Sequence, residues 1–169
     1  MYRGPHDGEG QTTTQNHSCM PLINLIHIAD YDRTRGRFRS EAFEPSSAEH
    51  GGGISVFDAE CAMVRSGSIC AHARKYYPTV ANEPPIFWQF DFSILPAGVT
   101  IDKTPSNTGD ECHRDLKNVG KKPARRVFIE QPLTDFLICT KEGIRNLTQE
   151  DVVRLKDQWD KKIAGLQGR

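Results

Sequence analysis

Three consecutive glycines, Gly51-Gly52-Gly53, pass directly into Ile54-Ser55-Val56-Phe57-Asp58, so permissive backbone gives way to a β-forming segment carrying one hydroxyl. Backbone without side chains lets a ligand approach the main chain, and Ser55 would stand beside that opening. The same residues equally make a hairpin turn with a solvated serine. Other chemistry-bearing residues are spread along the chain. His27 interrupts an apolar run, and Glu130 closes the segment Ala124-Arg125-Arg126-Val127-Phe128-Ile129-Glu130. Arg33, Arg35, Arg37 and Arg39 alternate and end at Ser40. On an extended segment they would share one side, either as a surface whose guanidinium forks match phosphate oxygens or as a solvated edge protected from pairing by charge. A second basic cluster, Lys121-Lys122-Pro123-Ala124-Arg125-Arg126, could meet a phosphate or guard the start of a strand, and it has no interleaved aromatics for base stacking.

Cys70-Ala71-His72 and Cys112-His113 use the residues that bind zinc, but no Cys-x2-Cys pair accompanies them, and neighbours in a strand point opposite ways. A structural zinc is therefore not expected. Gly-x-Gly-x-x-Gly, Gly-x4-Gly-Lys-Ser/Thr, His-Glu-x-x-His and Gly-x-Ser-x-Gly are all absent, so dinucleotide-fold, P-loop, zinc-protease and nucleophile-elbow readings have no direct support.

The elements that would position these residues follow from periodicity. Leu22-Ile23-Asn24-Leu25-Ile26-His27-Ile28 reads as a buried central strand, with Asn24 and His27 of opposite parity and each needing a partner if buried. Asp58 is an N-cap type residue before the helix formers Ala59 to Arg65, Gly67 interrupts, and Ser68 to Tyr77 resumes helix until Pro78. Ile86 to Ile94 carries apolar residues at every even position with Gln89, Asp91 and Ser93 between them, a half-buried strand. Val99-Thr100-Ile101 is a short strand, Thr104 to Gly120 a polar loop, and Ala124 to Glu130 another strand. Leu133 to Ile138 admits a short helix opened by Pro132, or a strand over Phe136 to Cys139. Thr148 caps a helix with acidic first-turn residues, on which Val152, Leu155, Trp159, Ile163 and Leu166 form one stripe. This order predicts an α+β fold with a mainly antiparallel, twisted sheet flanked by a few helices.

The 169 residues suffice for one core, with residues 1–18 read as a flexible polar tail and 19–169 as a single domain. Lys plus Arg equals Asp plus Glu at 22 each, which removes any general attraction to nucleic acid or anionic membrane. No apolar run reaches a bilayer's thickness and the first residues lack a secretory signal's apolar centre, so a soluble, cytoplasmic chain is expected. Five cysteines without framework spacing are expected to be free, reduced thiols.

Three segments, Gly51-Gly52-Gly53-Ile54-Ser55-Val56-Phe57-Asp58, Ile94-Leu95-Pro96-Ala97-Gly98-Val99-Thr100-Ile101 and Val127-Phe128-Ile129-Glu130-Gln131-Pro132, occur in the order seen in a small bacterial cytotoxin family. The chain resembles that family, type VI secretion effectors with an ADP-ribosyltransferase-like fold that are paired with immunity proteins. The resemblance implies NAD as substrate, attacked at its nicotinamide–ribose bond, with an immunity or antitoxin protein as partner, a macromolecular target, and delivery into a target cell. It makes Glu130, His27 and Ser55 the candidate catalytic residues, with Glu130 the carboxylate near the ribose. Arg39, Ser40, Gly52 and Gly53 are the candidate NAD-binding residues. His27 stands where the family carries a first-strand arginine, there is no Glu-x-Glu turn, and Arg125-Arg126 replaces an expected histidine. Two other readings stand beside this one: a non-enzymatic protein-binding module, and nucleic-acid binding through the two basic clusters.

Overall fold

In the computed structural model, which describes residues 19–43, 53–76, 83–103, 109–119 and 131–167, strand β1 (Pro21–Ile26) lies at the centre of a seven-stranded sheet. Its sequence explains the position. Leu22 and Ile26 point to one face and Ile23 to the other, and all three are fully buried, so the strand must be covered on both sides. Each such side chain contributes about 2 kcal/mol of burial.

The hairpin strands β2 (Tyr31–Asp32) and β3 (Arg37–Phe38) form a separate two-stranded pair. Strand β4 (Ile54–Asp58) runs into helices α1 (Ala59–Ser66) and α2 (Ile69–Tyr76), followed by β5 (Ile86–Asp91), β6 (Thr100–Asp102) and β7 (His113–Lys117). Strands β8 (Phe136–Thr140) and β9 (Gly143–Asn146) and helix α3 (Gln149–Gln167) complete the chain. The spatial order is β6-β7-β4-β1-β5-β8-β9, every neighbouring pair antiparallel. The coarse class is therefore α+β with an antiparallel sheet.

One face carries Leu22, Val56, Trp88, Phe136 and Ile138 and is covered by Val152 and Leu155 of α3 and by the hairpin's Tyr31 and Phe38. The other carries Ile23, Phe57 and Phe87 under α1 and α2. Phe87 corrects the half-buried reading of β5: it is wholly buried on the face assigned to water, and the strand ends at Asp91 in a 3-10 turn. Thr104 to Gly120 is likewise not all loop, because β7 forms within it; β4 offers an open edge and Leu116 packs in the core. Strand β8 resolves the ambiguity after Pro132, a 3-10 turn at Leu133–Asp135 preceding it. Residues 1–18 and 120–130, with the second basic cluster, lie outside the described residues.

The alternating arginines do not share a side. They fall around the β2–β3 hairpin, where Gly36 takes the positive φ the turn requires. Arg33 there pairs with Asp157 and Asp160 of α3 at 2.5 and 3.1 Å, and Arg39 donates to the Ala29 carbonyl.

Four of the five cysteines are joined rather than free. Cys61 bonds Cys112 and Cys70 bonds Cys139, with Cα separations of 5.4 and 5.6 Å, tying α1 to the start of β7 and α2 to β8; Cys19 is in neither disulfide. Such pairing suits an oxidising compartment better than a reducing one. No helix among the described residues is long and apolar enough to cross a membrane.

Helix α3 starts as its sequence predicts. Asp151 donates its N–H to the Thr148 hydroxyl while its carboxylate accepts from the Thr148 N–H, and Arg145 grips the same carboxylate through two bonds of 2.5 and 2.8 Å. Chiefly the Arg145 hydrogen bond, outweighing burial and aided by the Thr148 bonds, holds the carboxyl well below its ordinary range. Asp151→Ala is expected to cost about 2–3 kcal/mol in urea unfolding. Because the folded pKa is depressed, this stabilisation is present above the unfolded value and disappears as pH falls below about 4, which a pH series of unfolding midpoints checks. Replacing Cys70 and Cys139 together by serine removes a cross-link spanning 69 residues and is expected to lower stability by about 3–4 kcal/mol, read as a lower urea midpoint.

Candidate functional site

Ser55 and Phe57 share the parity of Ile23 and face the α1/α2 side of the sheet, opposite Asp115 and His113 of β7 in register. The Ser55 hydroxyl lies 2.9 Å from Nε2 of His113, and the same nitrogen lies 3.9 Å from Asp115 Oδ1. Ser55 is exposed, whereas His113 is buried beneath it with the Phe57 ring against its edge. One imidazole nitrogen thus meets the hydroxyl directly and has a carboxylate nearby. With Nε2 unprotonated, the hydroxyl donates to it and gains nucleophilic character; with Nε2 protonated, the ring donates to the hydroxyl, the carboxylate standing at ion-pair distance. The carboxylate does not orient the ring from its far nitrogen, so this is not the relay of a serine hydrolase.

Two local features hold Ser55 in place. The β1–β4 ladder stops after Leu22↔Asp58 and Ile23↔Phe57, and beyond it the Asn24 amide donates to the Ser55 carbonyl at 2.9 Å. Gly53 permits the closeness of β4 to β7: a Cβ there would lie 3.1 Å from both Asp115 Cβ and the Leu116 carbonyl. Its role is close strand packing beside the carboxylate.

The other sequence-derived candidates divide between places. His27 caps the 3-10 turn Ile28–Asp30, where Nδ1 accepts from the Ala29 N–H. Its ring meets Trp159 of α3 edge-on at 4.5 Å, and Nε2 lies 3.5 Å from Glu83. Arg39 reaches the same turn and Ser40 begins the 3-10 segment Ser40–Phe43. The structure therefore groups His27 with Arg39 on the α3 side and Ser55 with Gly53 on the α1/α2 side. Glu130 and Gly52 lie outside the described residues. Sequence reasoning singled out His113 only as a zinc-type residue beside Cys112 and missed Asp115, because both sit in a stretch read as loop; the available signal was His-x-Asp alternation ahead of Leu116.

A second polar cluster lies under α2. His72 and Asp110 are 3 % and 9 % exposed, and His72 Nε2 stands 3.0 Å from Asp110 Oδ2 without the alignment of a hydrogen bond. Asp110 Oδ1 accepts the Cys112 N–H at 2.8 Å, and the Ser66 hydroxyl lies 3.3 Å from His72 Nδ1. Burial lowers the His72 pKa, against the pull of Asp110 and with help from Lys75. Burial would raise that of Asp110, but the Tyr76 hydroxyl, the Cys112 N–H, His72 and Lys75 together hold it below its ordinary value. Cys112, just before β7, bonds Cys61, and His113 meets Ser55; both lie on the α1/α2 side.

Comparison with known proteins finds no matching family, no curated relative and no matching solved structure. Gly53→Ala is expected to destabilise the chain by about 1–3 kcal/mol, because both close neighbours are attached to the β7 backbone. An unchanged thermal midpoint would show that β4 and β7 part without cost.

Proposed function

We propose that this chain is an ADP-ribosyltransferase-like effector domain that cleaves the nicotinamide–ribose bond of NAD, passing ADP-ribose to a macromolecule or to water. The observation that carries the reading is the exposed Ser55 hydroxyl held on His113, with the Asp115 carboxylate across the strand pair. Cleavage breaks the ribose C–N bond, the electron pair leaves with neutral nicotinamide, and the ribosyl cation is captured by an acceptor that loses its proton. A carboxylate stabilises that cation, and a hydroxyl backed by imidazole positions the ribose or accepts the acceptor's proton through the ring. Asp115 fits the first role, Ser55 and His113 the second. Glu130 is the carboxylate implied by the family resemblance. An immunity protein covering Ser55 belongs to the same reading, and the two disulfides accord with a protein that passes through an oxidising compartment.

The grouping of His27 with α3, away from Ser55, favours a second reading, a protein-binding module without catalysis. Purified chain incubated with NAD labelled in the nicotinamide distinguishes the two. Release by the unmodified chain, lowered about 100-fold or more by Asp115→Asn and at least about tenfold by Ser55→Ala, supports catalysis at this pair. No release and no NAD binding by folded protein supports the binding module.

A further inference from the structure

Among the described residues, a ring nitrogen of His72, a carboxylate oxygen of Asp110 and Cys112 Sγ lie within 4.8 Å of one another, a grouping of ligand atoms able to hold one metal ion. Two further facts single it out. His72 Nε2 and Asp110 Oδ2 are buried polar atoms that make no hydrogen bond, and they stand next to each other. Their 3.0 Å separation approaches the roughly 3.3–3.8 Å between neighbouring donors around tetrahedral zinc. In this structure Cys112 is committed to Cys61, and a disulfide sulfur is a poor ligand. The metal-binding form therefore requires reduction.

We propose that His72, Asp110 and Cys112 form a zinc site that opens when the Cys61–Cys112 disulfide is reduced, with the released Cys61 thiolate within reach of the fourth position. Access runs through Cys61. That residue is half-buried and lines an open groove with Asp58, Val64, Arg65 and Arg114, whereas Cys112 is fully buried. A dithiol reductant attacks Cys61 Sγ, the sulfur–sulfur bond breaks, and Cys112 departs as thiolate beside His72. The reductant's second thiol then displaces Cys61, closing its own disulfide, so two electrons and two protons pass to the protein. Zn²⁺ binding releases one proton from each thiol that ligates it.

The oxidised chain is locked by a covalent bond between α1 and the start of β7, and the reduced chain keeps that connection through the ion. The same four side chains thus close the α1/α2 layer in both oxidising and reducing surroundings. Cys70 and Cys139 have no part in the site. This inference is independent of NAD chemistry at Ser55.

The test is titration of the full chain with Co²⁺ alone, before and after phosphine reduction, followed by absorption. Reduced protein is expected to develop thiolate-to-cobalt charge transfer and intense tetrahedral d–d bands saturating at one ion per chain, bleached by Zn²⁺; oxidised protein should develop neither. His72→Gln and Asp110→Asn should each weaken Co²⁺ affinity by about tenfold or more, and Cys112→Ser should diminish the charge-transfer band. The paired Cys70→Ser and Cys139→Ser change should leave the spectrum intact. Reduced, folded chain without the bands overturns the proposal, as does a spectrum unaffected by His72→Gln or lost with Cys70 and Cys139. The unmodified chain decides the matter even where a variant fails to fold.

Discussion

A sheet whose central strand is apolar on both sides can persist in water only between two covering layers, and the arrangement of this chain follows from that constraint. Leu22 and Ile26 call for α3 and the β2–β3 hairpin; Ile23, with Phe57 and Phe87, calls for α1 and α2. The coverings are secured in different ways. Helix α3 is fixed by its capped start and by Arg33 reaching Asp157 and Asp160, whereas α1 and α2 are bonded covalently to β7 and β8. The short helices, with eight residues each, offer little packing area of their own, and the cross-links offset that shortage.

Function inherits the same division. Strand parity is why Ser55 meets His113 and Asp115, whereas His27, just past the end of β1, is turned by the 3-10 segment it caps toward Trp159 of α3. The α1/α2 side holds two imidazoles with contrasting surroundings, both in contact with Phe57. His113 serves an exposed hydroxyl; His72 is enclosed with a carboxylate and a sulfur. Phe57 fills the space between them and keeps the two polar groups from merging.

Much of the framework was legible in the chain itself. The apolar run from Leu22, the strand after Ile86, the Asp58 cap and the helix after Thr148 each correspond to an element; local pattern and tertiary burial agree at Leu22, Val152 and Leu155, while Phe87 is buried against the alternation and Leu166, the end of the expected stripe, is exposed. Strand β7 was not, since His-Arg-Asp-Leu-Lys contains one apolar residue and becomes a strand only when β4 presents an edge. The site shares that fate: Ser55 could be singled out from the glycines before it, but its partners depend on cross-strand register, which no single segment encodes. The disulfides were hidden for a related reason, as pairing is a property of helix placement against strands rather than of cysteine spacing.

The order of the bridged residues along the chain has a further mechanical effect. Cys61, Cys70, Cys112 and Cys139 are joined first to third and second to fourth, so the two closed loops overlap. A single backbone cut anywhere between Cys61 and Cys139 leaves both fragments covalently attached. The pieces would travel together as one molecule, separating only after their sulfur links are opened.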